Sequence, residues 1–384
     1  MLSKGIRLEA FKNKISSKKI ETIYKKLINN KSEVLNSLSK NYHYSFKKKN
    51  LSKYKRNKNF RIIGMGGSTL GSQAIYDFLN HKIKNNFLFI DNLKFFQKVE
   101  KKNYTNLVIS KSGNTIETIV NANILIKNKN RNIFITEDKH SYLKLLANKL
   151  KAEIIDHNNF IGGRYSVLSE VGMLPAELMG LDSNKFKQIN SLIKNKRFEN
   201  ALLSNVAATL YYLKKKKFNS IIINYDEKSE NLFKWYQQLV AESLGKKNNG
   251  ILPIVSNMPR DNHSVMQLYL DGFKNNFFTF FYVKEKNSDR LINKNILALK
   301  NYLKNKDTNK ILYAQKKATE NVFKKKNIPF RSFEINKRDE KSLGELFCFF
   351  ILETILIGKA LQINPYDQPS VELIKKETKK ILIS

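Results

Sequence analysis

A glutamate stands in the last turn of a predicted helix, where a carboxylate is unfavourable. Between residues 233 and 244 the apolar side chains recur at spacings of three and four, which predicts an amphipathic helix that ends at Gly245. Glu242 then faces the negative end of the helix dipole. One reason for a carboxylate there is proton transfer, because a catalytic base must take up and return a proton. A solvated surface glutamate is the alternative.

The segment from Ser110 to Thr118 combines hydroxyl groups with an ammonium group. Between a predicted buried strand and a predicted helix it carries Ser110, Lys111, Ser112 and Thr115. Parallel sheets bind ligands at the carboxyl ends of their strands, and free amides at a helix start attract anions. The segment therefore predicts a site for a phosphate monoester. The alternative is a helix cap with spare hydroxyls, because Asn114 and Thr115 can each cap.

A glycine-rich turn from Gly64 to Gly71 also follows a predicted strand and opens a helix. Its glycines, with Gly67 and Ser68 at the centre, allow tight turning and close approach of the backbone to an anion. The spacing is not the G-x-G-x-x-G of dinucleotide sites, and no acidic partner is evident. Taken alone, this turn is weak evidence for a ligand.

Three further segments carry single groups suited to catalysis. Arg164 follows the flexible pair Gly162-Gly163 and could reach a developing oxyanion, with an ordinary surface arginine as the alternative. His263 lies at a predicted helix start, either as an acid–base group or as a structural histidine. The two-proline loop at residues 364–370 is stiff, so it loses little entropy when it orders around a ligand. It leads into a helix that carries Lys375.

The composition restricts the class of protein. The 384 residues include 41% hydrophobic ones, so ordinary cores can form despite a formal charge of +37. Lysine is spread along the whole chain, and we therefore expect no nucleic-acid partner. The single cysteine, Cys348, lies in an apolar run and predicts a buried thiol without disulfides. Charges interrupt that run too early for a membrane span, and no apolar signal region follows Lys4 and Arg7, which predicts a cytoplasmic protein. No cluster has metal-ligand spacing, so no metal or other cofactor is expected.

Strand and helix patterns alternate twice along the chain. Predicted strands lie at 60–64, 86–90, 106–109, 132–136 and 153–155, and again at 220–224, 250–255, 277–283 and 329–335. Helical sequence separates them, which predicts an α/β protein with two parallel sheets flanked by helices. The expected divisions are an N-terminal helical segment at 1–57, α/β units at 58–180 and 181–362, and an active-site loop and helix at 363–384. Predicted helices include 20–38, 183–194, 199–213, 343–361 and 371–382.

Five of these segments, in this order, resemble the glucose-6-phosphate isomerase (phosphoglucose isomerase) family. The resemblance covers roughly residues 60–380. Its most specific parts are the Glu-Ser-x-Gly-Lys segment that starts at Glu242 and the Asp-Gln-Pro-x-Val-Glu-Leu-x-Lys segment that ends at Lys375. The segment at Ser110 is shared with sugar-isomerase domains generally. Its Ser112-Gly113-Asn114 departs from the Thr-x-Thr sequence that is commoner in the family. Residues 258–262, before His263, also depart from the family's usual sequence.

The resemblance implies a fold and a set of roles. The fold is two sugar-isomerase (SIS-type) domains with helical extensions at both ends. Ser110, Lys111, Ser112 and Thr115 would hold the sugar phosphate, with Gly67 and Ser68 closing the site. Gln238 and Gln368 would contact the substrate, and His263 and Lys375 would assist opening of the sugar ring. Glu242 would move the proton between C2 and C1, and Arg164 would stabilise a cis-enediolate intermediate. The family's histidine comes from the neighbouring subunit, which implies a homodimer.

The function expected from this resemblance is the reversible isomerisation of glucose 6-phosphate and fructose 6-phosphate, without cofactor. A bifunctional phosphoglucose/phosphomannose isomerase is one alternative, distinguished by activity on mannose 6-phosphate. A non-enzymatic sugar-phosphate-sensing protein is the other. Such a regulator carries a DNA-reading helix-turn-helix ahead of one sugar domain, whereas residues 1–57 contain no convincing one and two domains are predicted.

Overall fold

The computed structural model describes residues 2–12, 17–30, 32–54, 56–93, 102–127, 131–285, 288–290, 301–304 and 306–384. The strands are β1 (Ile6–Glu9), β2 (Asn59–Gly64), β3 (Asn86–Ile90), β4 (Thr105–Ile109), β5 (Asn132–Thr136), β6 (Glu153–Asp156), β7 (Asn219–Asn224), β8 (Leu252–Asn257), β9 (Asn276–Val283) and β10 (Phe330–Ile335). The α-helices are α1 (Lys18–Asn29), α2 (Glu33–Ser37), α3 (Leu70–Phe78), α4 (Ile116–Leu125), α5 (Tyr142–Lys149), α6 (Glu170–Leu178), α7 (Ile189–Leu192), α8 (Lys196–Lys214), α9 (Glu230–Leu244), α10 (Met266–Asp271), α11 (Thr308–Lys325), α12 (Glu340–Ala360) and α13 (Pro369–Ile383).

The first sheet has the strand order β3-β2-β4-β5-β6, and all its strands are parallel. From β2 the chain continues to β3 on one side, and from β4 it continues to β5 on the other. The carboxyl ends of β2 and β4 therefore flank a topological switch point, where open parallel sheets bind ligands. The glycine-rich turn follows β2, and the hydroxyl-rich segment follows β4.

The second sheet repeats this topology in the order β8-β7-β9-β10, with β1 added at the far edge. Its switch point lies between β7 and β9, whose chains continue to β8 and to β10 on opposite sides. The strand β1 pairs antiparallel with β10, so that Ile6 lies opposite Ile335. The N-terminal segment thus contributes a strand as well as helices, and its alternating Ile-Arg-Leu-Glu sequence has the period of a strand.

One apolar core connects the two sheets through α9 and α12. The helix α12 is buried along almost its whole length, and α9 packs against it and against α3 of the first unit. The indole of Trp235 on α9 meets the ring of Phe347 on α12 edge to face, with centroids 4.8 Å apart. The helix α9 therefore packs between α12 and the first unit.

The predicted fold class is confirmed, since two sheets, parallel except for the added strand β1, are flanked by helices. The helix α9 ends at Gly245, and its predicted apolar face is buried. Cys348 is fully buried, as predicted. Within the described residues, no helix combines the length and apolar character that crossing a bilayer requires.

Two predicted helices are wrong in extent. The helix predicted over 20–38 is divided, because Asn30 takes an extended conformation after α1 and Ser32 then caps α2 by accepting from the amide of Leu35. The helix predicted over 183–194 is replaced by a 3-10 turn and the short α7. Between them Lys187 leaves the helical conformation, and its buried ammonium donates to the carbonyls of Ser37 and Leu168. Tertiary contacts to that ammonium outweigh local helix propensity.

Candidate active site

Three segments meet where α9 ends beside the first sheet. Gly66 has a φ of +53°, and a Cβ there would lie 2.9 Å from Nε2 of Gln238 on α9. A Cβ on Gly67 would lie 2.2 Å from the carbonyl carbon of Gly163. Only glycine allows these approaches, so the turn after β2 contacts both α9 and the segment that carries Arg164. Gly67 is buried and Ser68 is half-buried at this junction.

The guanidinium of Arg164 is the centre of a cluster of polar groups from α9 and the two-proline loop. Its side chain is 1% exposed, and the 3-10 turn that carries it is buried. Its Nε donates to Ser243 Oγ at 2.8 Å. Its Nη1 donates to Glu242 Oε2 at 3.2 Å and to Gln368 Oε1 at 2.7 Å. Its Nη2 donates to the carbonyls of Pro365 at 2.7 Å and of Asp367 at 3.0 Å. An arginine has five N–H donors, and each has an acceptor here. Arg164 therefore joins α9 to the two-proline loop.

Glu242 keeps lone pairs free for a proton. Its Oε1 accepts from Nε2 of Gln238 at 2.9 Å, one helical turn earlier on α9, and its Oε2 accepts from Arg164. Each carboxylate oxygen can accept two hydrogen bonds, so one acceptor position remains on each. The side chain is 30% exposed, which leaves it accessible to a ligand. Geometrically Glu242 is suited to act as a base.

Two residues behind the arginine were missed by the sequence reasoning. The hydroxyl of Tyr165 donates to the carbonyl of Pro365 at 3.0 Å, which leaves Ser243 to donate to Tyr165 at 2.8 Å while it accepts from Arg164. Burial raises the pKa of Tyr165 above its ordinary value, so its hydroxyl remains a donor. Trp235 Nε1 also donates to the carbonyl of Arg164 at 3.1 Å. The signal available in the sequence was adjacency, because Tyr165 and Ser243 directly follow Arg164 and Glu242.

The hydroxyl-rich segment forms a compact loop between β4 and α4. Ser110 Oγ and Thr115 Oγ1 lie 2.9 Å apart, and Ser110 is buried while Ser112 is exposed. Gly113 has a φ of +65°, and a Cβ there would lie 2.2 Å from Ser141 Oγ. Thr115 is the N-cap of α4 but makes no side-chain cap hydrogen bond. Hydroxyls and uncapped amides are therefore available to an anion.

The side chain of Lys111 contacts the segments that follow β5 and β6. Its Nζ donates to the carbonyl of Asn159 at 2.7 Å and lies 3.5 Å from Oε1 of Glu137. Glu137 is buried and also pairs with Lys139. Beside them His157 is buried, and this burial lowers its pKa to about 4. The ammonium of Lys111 therefore joins two loops in this structure.

The structure does not bring every predicted residue to the cluster. Gln368, at the N-cap of α13, contacts Arg164, but Lys375 lies on the exposed face of α13 and pairs with Glu372 at 2.6 Å. His263 is exposed in the 3-10 turn after β8. Among the described residues, neither Lys375 nor His263 has a hydrogen bond or an ion pair with the cluster. No group of three or more His, Cys, Asp or Glu residues suited to a metal occurs in the described ranges.

Comparisons with known proteins identify the family of this chain. The family model of phosphoglucose isomerase matches residues 28–384. This chain belongs to the phosphoglucose isomerase family. Among the family's members, the glucose-6-phosphate isomerase of Methanocaldococcus jannaschii is 34% identical over 85% of this chain and 86% of its own. The glucose-6-phosphate isomerase of Mycoplasmopsis pulmonis is also 34% identical, over 84% and 82%.

Solved structures support the fold. A hypothetical protein from Thermus thermophilus superposes with a TM-score of 0.83 at 22% identity, covering 95% of both chains. A glucose-6-phosphate isomerase from Chlamydia trachomatis superposes with a TM-score of 0.73 at 17% identity, covering 87% of this chain and 72% of the other. At these identities the likeness concerns the fold alone.

Proposed function

We propose that this chain catalyses the reversible interconversion of glucose 6-phosphate and fructose 6-phosphate, a step of glycolysis and gluconeogenesis. The observation that carries the proposal is the contact of Glu242 with Arg164, which sets a carboxylate with free lone pairs beside a buried guanidinium. Moving a hydrogen between adjacent carbons needs one base, and a cation near the oxygen that becomes an enediolate. The names of the relatives, glucose-6-phosphate isomerases, agree with this chemistry.

In this proposal the substrate phosphate lies between the carboxyl ends of β2 and β4. Ser110, Ser112 and Thr115 donate their hydroxyls, and the first amides of α4 add further donors. Gly67 and Ser68 close the opposite side. Binding energy from this remote group fixes the reacting carbons against Glu242.

The proton transfer follows from the positions of two side chains. Glu242 takes the proton from C2 of the open-chain aldose, the C–H electron pair forms the C1–C2 double bond, and the carbonyl electrons move onto the C1 oxygen, which gives a cis-enediolate. Glu242 then returns the proton to C1, the C2 oxygen becomes the carbonyl, and its hydroxyl proton passes to the C1 oxygen. Arg164 stabilises the negative oxygen. Because all its N–H groups are engaged, that oxygen replaces an existing acceptor. Gln368 is exposed, so its amide can release Arg164 and still be solvated. We therefore assign the replaced acceptor to Gln368, whose freed amide then contacts the substrate.

The ring-opening groups complete the proposed site from outside the cluster. His263 is assigned to a neighbouring subunit of a homodimer, which its exposure and its lack of contact with the described residues of the cluster support. Lys375 reaches the substrate from the second turn of α13, the helix that follows Gln368. The assignment of Lys375 follows the family's pattern at residues 367–375, and that of His263 follows the family's arrangement of a histidine from the neighbouring subunit.

A coupled assay with fructose 6-phosphate and mannose 6-phosphate as alternative substrates tests the function. We expect turnover of fructose 6-phosphate to glucose 6-phosphate without added metal. Turnover of both sugars would extend the assignment to the bifunctional isomerase. Binding of fructose 6-phosphate without any turnover would instead favour the sensing protein and overturn the enzyme assignment.

A further inference from the structure

The second sheet has a ligand edge of its own, from which the proposed active site takes His263 alone, in the turn after the edge strand β8. Its switch point lies at the carboxyl ends of β7 and β9. The segments that follow β7, β9 and β10 all begin at this edge of the sheet. Glu242 lies at the other end of α9, next to the first sheet. By the same topological rule that locates the first crevice, the second sheet is expected to have one.

A cavity of about 1040 Å³ occupies this edge. Its walls come from separate parts of the chain: Lys284 follows β9, Lys341 begins α12 after β10, Lys40 belongs to the N-terminal segment, and Lys185 lies just after the first α/β unit. The inner wall includes Arg338, which pairs with Asp226 and contacts the carbonyl of Phe78 in the first unit. The cavity therefore lies between the two α/β units.

The charge of the lining is not balanced. Eight basic side chains face four acidic ones, and every acidic one is already paired. Asp182 pairs with Lys48, Glu285 with Arg338 and Lys228, Asp339 with Lys337, and Glu340 with Lys82. Lys40, Lys185, Lys284 and Lys341 have no ion pair and no side-chain hydrogen bond among the described residues. Four unpaired ammonium groups around one cavity repel each other unless an anion is bound between them.

The lining also restricts the kind of anion. Among the described residues that line the cavity, there is no aliphatic side chain and no aromatic ring except that of His81. A nucleobase or an acyl chain would find no surface to pack against. The volume exceeds what one phosphate fills, and the free ammonium groups come from four segments. We propose that this crevice binds a small polyanion with three or more negative groups and no apolar part, such as an oligophosphate or a polycarboxylate.

Calorimetric titration of the full chain tests the proposal, with inorganic tripolyphosphate, citrate and orthophosphate as probes. We expect one equivalent of tripolyphosphate or citrate per chain and much weaker orthophosphate binding. The combined variant Lys40→Gln, Lys185→Gln, Lys284→Gln should weaken the polyanion by about tenfold or more, since three charge-assisted contacts are lost. All three lysines are exposed, so folding is preserved. Because orthophosphate also fits the proposed cradle at Ser110, the decisive comparison is made in the variant Ser110→Ala, Thr115→Ala, where orthophosphate binding as strong as that of tripolyphosphate would overturn the proposal.

A matched control separates this site from general attraction to a basic chain. The variant Lys25→Gln, Lys58→Gln, Lys149→Gln removes the same charge at exposed positions outside the cavity and should bind tripolyphosphate normally. Equal weakening in both triple variants would show that net charge alone attracts the anion. The double variant Ser110→Ala, Thr115→Ala should also bind normally. Loss of tripolyphosphate binding in that variant would move the anion to the first sheet and refute the crevice.

Discussion

Nη1 of Arg164 lies 3.2 Å from Oε2 of Glu242, although 78 positions separate the two residues in the sequence. The arginine is held by a turn after the first sheet and the glutamate by the last turn of a helix in the second unit. Because α9 spans the junction of the two units, the pair depends on how they pack. The proposed chemistry is therefore a property of the whole chain.

Glu242→Gln should remove most turnover while leaving the fold and substrate binding intact. The amide cannot accept the C2 proton, and a loss of about three powers of ten in kcat is expected for a base without a substitute. Glu230→Gln, in the first turn of the same helix, is the control and should keep normal turnover. Near-normal kcat in Glu242→Gln would disprove the proton-transfer role.

Ser243→Ala should lower kcat more than Tyr165→Phe. The alanine removes the acceptor of Arg164 Nε, whereas the phenylalanine leaves that acceptor in place. Each variant should cost about 1–3 kcal/mol of stability, because a buried polar partner is lost. Steady-state kinetics and thermal unfolding of both variants check this. If kcat fell equally in the two, Ser243 would have no specific part in positioning the arginine.

Ser110→Ala should weaken phosphate binding more than Lys111→Met does. The Ser110 hydroxyl lies in the proposed cradle, whereas the Lys111 ammonium is engaged with Asn159 and Glu137. Loss of a hydrogen bond to a charged group costs about 1.5–3 kcal/mol. Titration of inorganic phosphate into both variants measures the difference. The reverse order would mean that Lys111 leaves Asn159 when phosphate binds, as the family resemblance implies.

Stability should fall as the pH drops from about 6.5 toward 4, because burial lowers the pKa of His157 to about 4. The folded pKa lies below the unfolded value of 6.5, so the unfolded chain binds more protons in that range. The histidine contributes roughly 3 kcal/mol above pH 6.5, which is lost by pH 4. Denaturant unfolding at several pH values measures this slope. It should flatten in His157→Gln and persist in the control His43→Gln, an exposed histidine.

Mixing His263→Ala with Glu242→Gln should restore activity after joint refolding, if His263 is donated across a dimer. A mixed dimer then has one site with both defects and one intact site. Random reassortment of equal amounts makes half the dimers mixed, so about a quarter of all sites recover. Confirmed mixed dimers without recovered activity would place His263 in its own subunit's site, or outside the chemistry.

The sequence predicted the framework of this protein well, because buried parallel strands and the apolar face of α9 leave strong periodic signals. The segments that carry Arg164, Glu242 and Gln368 were singled out separately, and the structure brings them together. The contacts of Lys111 with Asn159 and Glu137 were not predictable, since both partners lie far along the chain. The break at Lys187 was missed for the same reason, because its partners are distant carbonyls.

The pairing of β1 with β10 has a consequence for synthesis. Ile6–Glu9 leaves the ribosome long before Phe330–Ile335, so this strand has no partner while most of the chain is being made. The second sheet can be completed only after β10 emerges, whereas the first sheet is finished by Asp156 and can fold earlier. We expect the nascent first unit to resist protease while the second does not. Such a late, long-range closure is slow, and an unpaired strand with one apolar face is a site for chaperone binding in the interval.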